Sequence, residues 1–421
     1  MKTMVETRAD GLRSIAVPMD DRRSVSIGIW AGVGGRHETQ EQSGISHFLE
    51  HIVFKGTQAR TAAQIKESIE GVGGSLNAFT AEEHTCFLAK VSSRRFVDVL
   101  GVLSDIVLNA SIRKEDVDKE RTVIQEEIKM TEDQPGQLVD EILSQILWPN
   151  HPLGWPLAGT LETVQGITEK HLTAHRDRHY QPGNLTVVAA GEVDPAAFQG
   201  HLRSFIKEGS ARLVPTPLGA SFQKSAPSSR MTIRRKATEQ THVSLAVHTP
   251  EKGHPLEPAT DVLSIILGGN MSSRLFNEVR EERGLAYDVG TYIRKYHETG
   301  AFVVSAGVDH RKLHDALQVI VEQLKKIASK PPAPEELKRA QEFYLGQFEL
   351  SLENTMNQML YAGESLLSMG RVKPVEEVIE NISSVTPEKV GEAARSLFDK
   401  PFYLSVVGPD PKEEKLVSIL G

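Results

Sequence analysis

The chain has 421 residues, 39% of them hydrophobic and 25% charged, with a formal charge of −8 from Lys+Arg 48 against Asp+Glu 56. That length exceeds one ordinary core, so two domains or more are expected, and the balance is that of a folded chain. The acidic balance argues against a phosphate-backbone binder, and no run approaches the roughly 18 apolar residues of a membrane-crossing helix, so neither nucleic acid nor membrane is an expected partner.

In chain order, 24–33 (SVSIGIWAGV) reads as a strand and 43–54 as a buried helix. Residues 86–91 (CFLAKV) form a second strand leading into a helix with Val, Leu and Ile at helical spacing, and 115–130 is a further helix. NLTVVAAGEVD (184–194) is an apolar strand ending in a turn, followed by an amphipathic helix over 195–207. Residues 209–230 carry three prolines and no period, which is linker composition. The same order then recurs. THVSLAVHT (241–249), a helix over 258–268, FVVSAGV (302–308), the helix 335–350 and a closing strand and short helix match the first half in turn. The expected fold class is therefore α+β, with two homologous domains, 1–212 and 231–421, joined by a linker over 213–230. Each is a mainly antiparallel sheet with helices packed on one side. The first twenty residues hold no continuous apolar segment, and Cys86 is the one cysteine, so no intrachain disulfide or cysteine-based metal knuckle can form. A cytoplasmic protein is the expectation, with Cys86 a small buried strand residue.

The informative string is GISHFLEHIVFKGT (44–57). On a helix, His47 and His51 lie about 40° apart around the axis, with Glu50 about 60° to the other side of His47, so all three point one way. Two imidazoles one turn apart suit a zinc ion, and a nearby carboxylate suits a base; H-x-x-E-H is the inverted zincin motif. With 15 histidines in the chain, roughly 0.04 matches are expected by chance, too few to make coincidence the default. A catalytic zinc takes a third protein ligand and keeps one position open. In the helix 115–130, Val117, Ile124 and Ile128 mark the buried face; Glu127 falls inside it and Glu120 lies only about 20° away. Carboxylates on such a stripe need a metal or a cation. In the second half the corresponding positions are DVLSI (261–265), Ala340 and Gln347, so the fold does not itself require the ionisable set. His171, His175 and His179 fall at i, i+4 and i+8 on a predicted helix; a solvated face and helix end is the expectation there rather than a second metal site.

These motifs resemble those of the pitrilysin-type (M16) zinc metallopeptidases, most closely the short-chain branch with the mitochondrial processing peptidase β subunit and its bacterial relatives. The resemblance runs through GVGGRHE (32–38), GISHFLEHIVFKGT, GGSLNAFT (73–80), Glu120 and Glu127, GWPLAGT (154–160), HYQPGNLTVVAAG (179–191) and NMSSRLFNEVREERGLAYDV (270–289). It implies His47, His51 and Glu127 as ligands of one zinc per chain, Glu50 as the base acting on the zinc's water, and Glu120 as an outer support of the ligands. It further implies that Arg280 and Tyr287 bind substrate and stabilise the transition state, and that Asn77, Ala78 and Phe79 lie on an edge strand to which a peptide adds by β-pairing. The implied protein is an endopeptidase acting on short or unfolded polypeptides, a homodimer, with its two domains arranged as a clamshell around a chamber. Three other readings use the same residues: a subunit active only with an α-like partner, a non-catalytic core subunit of the same fold, and a site in which Glu50 itself is a ligand.

Overall fold

The computed structural model describes residues 3–209, 222 and 229–420. The expected linker over 213–230 lies outside these residues apart from 222, 229 and 230. In chain order the strands of the first half are β1 (Met4–Thr7), β2 (Arg13–Pro18), β3 (Ser24–Ala31), β4 (Ser75–Thr80), β5 (Thr85–Ser92) and β6 (Leu185–Gly191). Those of the second are β7 (Met231–Arg235), β8 (Thr241–Thr249), β9 (Ala286–Lys295), β10 (Gly300–Val308) and β11 (Tyr403–Gly408). The helices begin with α1 (Ile45–Val53), α2 (Ala62–Ile69), α3 (Phe96–Asn109), α4 (Lys114–Asp133), α5 (Pro135–Leu147), α6 (Leu161–Gly166), α7 (Glu169–His179) and α8 (Pro195–Phe205). They continue with α9 (Glu257–Gly268), α10 (Leu313–Ser329), α11 (Pro334–Leu352), α12 (Thr355–Met369), α13 (Val375–Ser383), α14 (Pro387–Phe398) and α15 (Glu413–Leu420).

The first sheet has the order β1-β2-β6-β3-β5-β4 and the second β7-β11-β8-β10-β9. Without β1 the two orders are the same. In each the single parallel pair sits at the corresponding place, β2 with β6 and β7 with β11, and the other pairs are antiparallel. The internal repeat read from the sequence is thus a repeat of topology.

The chain divides into two compact units, and the strands follow the sequence halves while two helical segments do not. Unit 1 comprises Met1–Lys129, Trp155–Ala220 and Glu349–Pro374; unit 2 comprises Met130–Gly154, Ser221–Phe348 and Val375–Gly421. The physical reason lies in the strands. All seven residues of β6 and seven of the eight in β3 are buried, a pattern that requires cover on both faces of the sheet. On one face α1, α3, α7 and α8 pack Phe48, Leu49, Leu103, Leu172 and Phe198 against Ile27, Ile29, Phe87 and Val187. On the other, Ile15, Val17, Trp30, Cys86 and Val188 lie beneath Met359, Ala362 and Leu366 of α12. The main helical layer is one-sided, as the sequence suggests, and α12 adds a single helix behind it. In unit 2, α5 plays the corresponding part, with Leu143 and Leu147 on Ala246, Val303 and Tyr403, while Phe302 on the opposite face meets Phe398 of α14 at 5.4 Å between ring centroids.

This exchange carries a prediction. A fragment of residues 1–212 lacks α12 and leaves the Trp30 face open. Each large side chain there contributes about 1.5–3 kcal/mol when buried, so their sum is comparable to the whole stability of a domain, about 5–15 kcal/mol. The fragment is expected to bind a hydrophobic dye and melt without cooperativity, whereas the same fragment with 349–374 fused through a flexible linker is expected to melt cooperatively. A cooperative melt of the bare fragment, unchanged by the fusion, contradicts this.

Candidate metal centre

Helix α1 is nine residues long and begins at Gly44, which has φ 93° and no side chain to cap with. Its apolar residues Ile45, Phe48, Leu49, Ile52 and Val53 are fully buried in the unit 1 core. That anchoring turns His47, Glu50 and His51 to the other stripe, where the two imidazole side chains retain 20% and 18% exposure. Helix α4 runs past this stripe, held by buried Val117 and Ile124, and presents Glu120 and Glu127.

The ligand atoms of His47, His51 and Glu127 all lie within 4.8 Å of one another, the one such group among the described residues. Glu127 Oε2 is 3.8 Å from His47 Nε2 and 3.5 Å from His51 Nε2. These separations are long for good hydrogen bonds. They match two ligands on one ion, because bonds of about 2.0–2.1 Å at a tetrahedral angle place ligand atoms about 3.4 Å apart. Burial, and secondarily the ring of His51, pushes His47 down to about 4, so its imidazole is neutral and a lone pair is available. His47 Nδ1 is buried with no hydrogen-bond partner among the described residues. The donor set of two imidazoles and a carboxylate is that of a zinc site with a position left open, and the residues present fit such an ion.

His51 Nδ1 lies 3.1 Å from Glu120 Oε2. Donation to that carboxylate leaves Nε2, the nitrogen facing Glu127, free as an acceptor or ligand. Glu120 is only 6% exposed, and its second oxygen accepts from Lys55 Nζ at 2.5 Å. Glu50 is outside the ligand group. Its Oε2 accepts from the Thr80 hydroxyl at 2.5 Å. Burial raises the Glu50 carboxyl above its ordinary value; the Thr80 bond and His51 act against that rise, while Glu127 adds to it.

Thr80 closes β4, whose other residues include Asn77, Ala78 and Phe79. This strand ends the sheet order, so its outer edge pairs with no strand among the described residues. Its inner register sets Asn77, Ala78 and Phe79 opposite Leu88, Phe87 and Cys86. Asn77 Oδ1 accepts from the Ala78 N–H at 2.8 Å, and the Phe79 ring lies 5.9 Å from that of His84. Arg280 and Tyr287 belong to unit 2 and are brought together there. Arg280 sits in a π-helical segment, Phe276–Glu281, with its guanidinium carbon 4.7 Å from the Phe276 centroid and 5.6 Å from that of Tyr287. Tyr287 is 72% exposed on β9, one of the two edge strands of its sheet.

Thr80, Lys55 and the buried Glu38 escape sequence reading. Lys55 stands four residues beyond His51, a spacing that could have flagged it; Thr80 and Glu38 reach α1 only through the fold. The histidines of α7 need correction. His171 is exposed near the first turn, with its Nδ1 accepting from the Thr168 N–H at 3.4 Å, but His175 and His179 are 8% and 5% exposed, not a solvated face. Their rings lie 4.7 Å apart, and His175 Nε2 is 3.3 Å from Ser46 Oγ. Cys86 is buried, as expected.

Burial, then neighbouring His179, pushes His175 down to about 3. Folding therefore excludes a proton that the unfolded chain binds below about pH 6.5, so this group's contribution is intact above that pH and declines as pH falls towards 3. His175→Gln is expected to cost about 1–3 kcal/mol at pH 7 through the Ser46 contact. The difference from wild type should shrink by about 1.4 kcal/mol for each pH unit below 6.5. Urea unfolding of both proteins at pH 7, 6 and 5 checks this; a difference constant with pH contradicts it.

The family model described as Insulinase (Peptidase family M16) matches residues 14–161, and that described as Peptidase M16 inactive domain matches 166–344. The uncharacterized zinc protease YmxG of Bacillus subtilis is 36% identical over 408 residues, covering 96% of this chain and 97% of its own. The uncharacterized zinc protease SCO5738 of Streptomyces coelicolor is 37% identical over 407 residues, covering 96% and 89%. A solved structure of a protease from Helicobacter pylori shares the fold, with TM-score 0.89, 21% identity and coverage of 97% and 99%. No helix among the described residues is long and apolar enough to cross a membrane. With relatives more than a third identical over nearly its whole length, the chain belongs to peptidase family M16.

Proposed function

We propose that the chain is a zinc-dependent endopeptidase acting on short or unfolded polypeptides, with one zinc per chain held by His47, His51 and Glu127. One observation carries the reading. The three ligand atoms converge within 4.8 Å, while Glu50, one residue from a ligand, is kept out of that set by its bond to Thr80 on an open strand edge. A bound zinc would supply a Lewis acid that brings the pKa of its water towards 7. Glu50 is placed to take the proton from the attacking water at a carboxylate oxygen and to return it to the leaving amine. Burial favours this exchange by raising the carboxyl towards the working pH. Glu120 orients His51 through Nδ1. The edge of β4 around Asn77, Ala78 and Phe79 offers main-chain groups to an extended peptide, giving affinity that depends little on sequence.

Arg280 and Tyr287 are assigned to substrate binding and to the developing oxyanion, a role supported by the family resemblance and by their mutual contact. Tyr287→Phe is expected to lower kcat by about 10²–10³-fold, the effect of removing one oxyanion donor, with zinc content intact. A Tyr287→Phe enzyme of unchanged kcat contradicts that role. The proposal extends to a cytoplasmic homodimer; one buried cysteine fits a reducing compartment. The chain purified alone and loaded with zinc is expected to sediment as a dimer and to cut an unfolded polypeptide internally. Activity that appears only on adding a second, different chain would replace this with the partner-dependent reading.

A further inference from the structure

The sequence motif 32–38 (GVGGRHE) is not used by the chemistry above, yet it contains two buried charged residues, Arg36 and Glu38. Glu38 is 8% exposed and spends both carboxylate oxygens on the start of α1. Oε2 accepts from the Gly44 N–H at 2.7 Å and Oε1 from the Ser46 N–H at 2.9 Å. Two residues earlier, Arg36 is 2% exposed and grips the turn between β4 and β5. Its main-chain N–H donates to the Glu82 carbonyl at 2.7 Å and its guanidinium Nη1 to Glu83 Oε1 at 2.8 Å. The turn in turn carries Thr80, whose hydroxyl meets Glu50 on α1. The contacts form a closed ring: α1, Glu38, Arg36, the 81–84 turn, Thr80, Glu50 and α1 again.

We infer that the Gly34–Glu38 segment is a brace that fixes helix α1 against strand β4, with Glu38 and Arg36 as positioning residues for Glu50 and the zinc ligands. The arrangement is costly unless it serves position. A carboxylate in an apolar interior is unfavourable without full hydrogen bonding, and burial lifts Glu38 to about 7 despite its two backbone donors. A Ser or Asp at residue 44 would cap α1 from next door, but Gly44 is left-handed and a Cβ there would meet the Ala158 carbonyl at 2.6 Å. The cap therefore arrives from six residues upstream and ties the helix end to the turn, which a local cap would not do. At Gly34 the approach to that turn is so close that a Cβ would lie 2.1 Å from the Ala81 carbonyl oxygen.

The kinetic arm of the test rests on the peptidase reading; the metal arm does not. Glu38→Gln has the same shape but turns an amide N–H₂ towards a backbone donor. It is expected to weaken zinc binding about tenfold in competition with a chelator of known affinity, the scale of other residues that orient metal ligands. At saturating zinc, kcat should fall at least about tenfold with KM within twofold. Arg36→Met, which removes the guanidinium bond to Glu83 and keeps the main-chain bond to Glu82, and Thr80→Val are expected to be non-additive, the double variant losing less than the sum of the two, because both act through one ring. General loosening of the fold would give additive losses. Glu83→Gln, on the partly exposed side of the ring, is the variant to use if Arg36→Met does not fold, and the same non-additivity with Thr80→Val is expected. Wild-type zinc affinity in Glu38→Gln, or additive losses in the cycle, overturns the brace. If Glu50→Gln keeps the wild-type rate, the peptidase role of Glu50 falls, and the zinc affinity of Glu38→Gln still decides the brace.

Discussion

Glu50→Gln is expected to lower kcat on unstructured peptides by about 10²–10⁴-fold, the range attributable to a positioned acid–base group, while zinc content and affinity stay at the wild-type level. The expectation follows from where the carboxyl sits. Glu50 shares a face of α1 with His47 and His51, but its oxygen is engaged by Thr80 and the ligand atoms gather without it. A Gln keeps the shape and can still accept from Thr80, yet it cannot take a proton. The variant therefore separates base from ligand. Loss of zinc in Glu50→Gln would make Glu50 a ligand and move the base elsewhere. Retention of zinc with retention of rate would remove Glu50 from the reaction.

Glu127→Gln is expected to have the complementary effect. If His47, His51 and Glu127 are the three protein ligands, weakening one should reduce zinc affinity by about 10²–10³-fold, more than the roughly 10–100-fold of a residue that only orients a ligand, and abolish activity at limiting zinc. Glu120→Gln, which weakens the carboxylate's contacts with His51 Nδ1 and Lys55 Nζ but removes no ligand atom, is expected to cost about 10–100-fold. Gln347→Ala, at the corresponding place on α11 of the repeat, serves as the control and should leave zinc content unchanged. Equal effects of Glu120→Gln and Glu127→Gln, measured by chelator competition, would contradict the division of labour between the two glutamates.

Much of the centre is legible in the sequence because its parts are local. His47, Glu50 and His51 fall within two turns of one helix, so helical spacing alone puts them on one face. Glu120 shares the buried stripe of α4 with Val117 and Ile124, and a buried acidic group calls for a cation; Glu127, expected on the same stripe, instead keeps a side chain 38% exposed. The repeat supplies its own comparison, since the same topology in unit 2 carries Ala340 and Gln347. What stays hidden depends on distance in the chain. Thr80 reaches Glu50 across thirty residues, and Glu38 reaches α1 through a turn whose shape is set by Gly34 and Gly44. The assignment of α12 to the first sheet is hidden for another reason: an apolar helix face shows that something must be covered, not which of two similar sheets it covers. His175 and His179 look polar in the sequence, but the fold buries them as neutral rings. The π-helical segment around Arg280 likewise has no period that would announce it.

The most direct test of the central claim is the product spectrum of the purified, zinc-loaded chain on an unstructured peptide mixture, read by mass spectrometry with and without chelator and beside Glu50→Gln. Internal cuts made by wild type, abolished by the chelator and restored by zinc, and absent from Glu50→Gln are the predicted result. Cuts that persist in chelator or in Glu50→Gln, or no cuts from a chain shown to hold zinc, would contradict it.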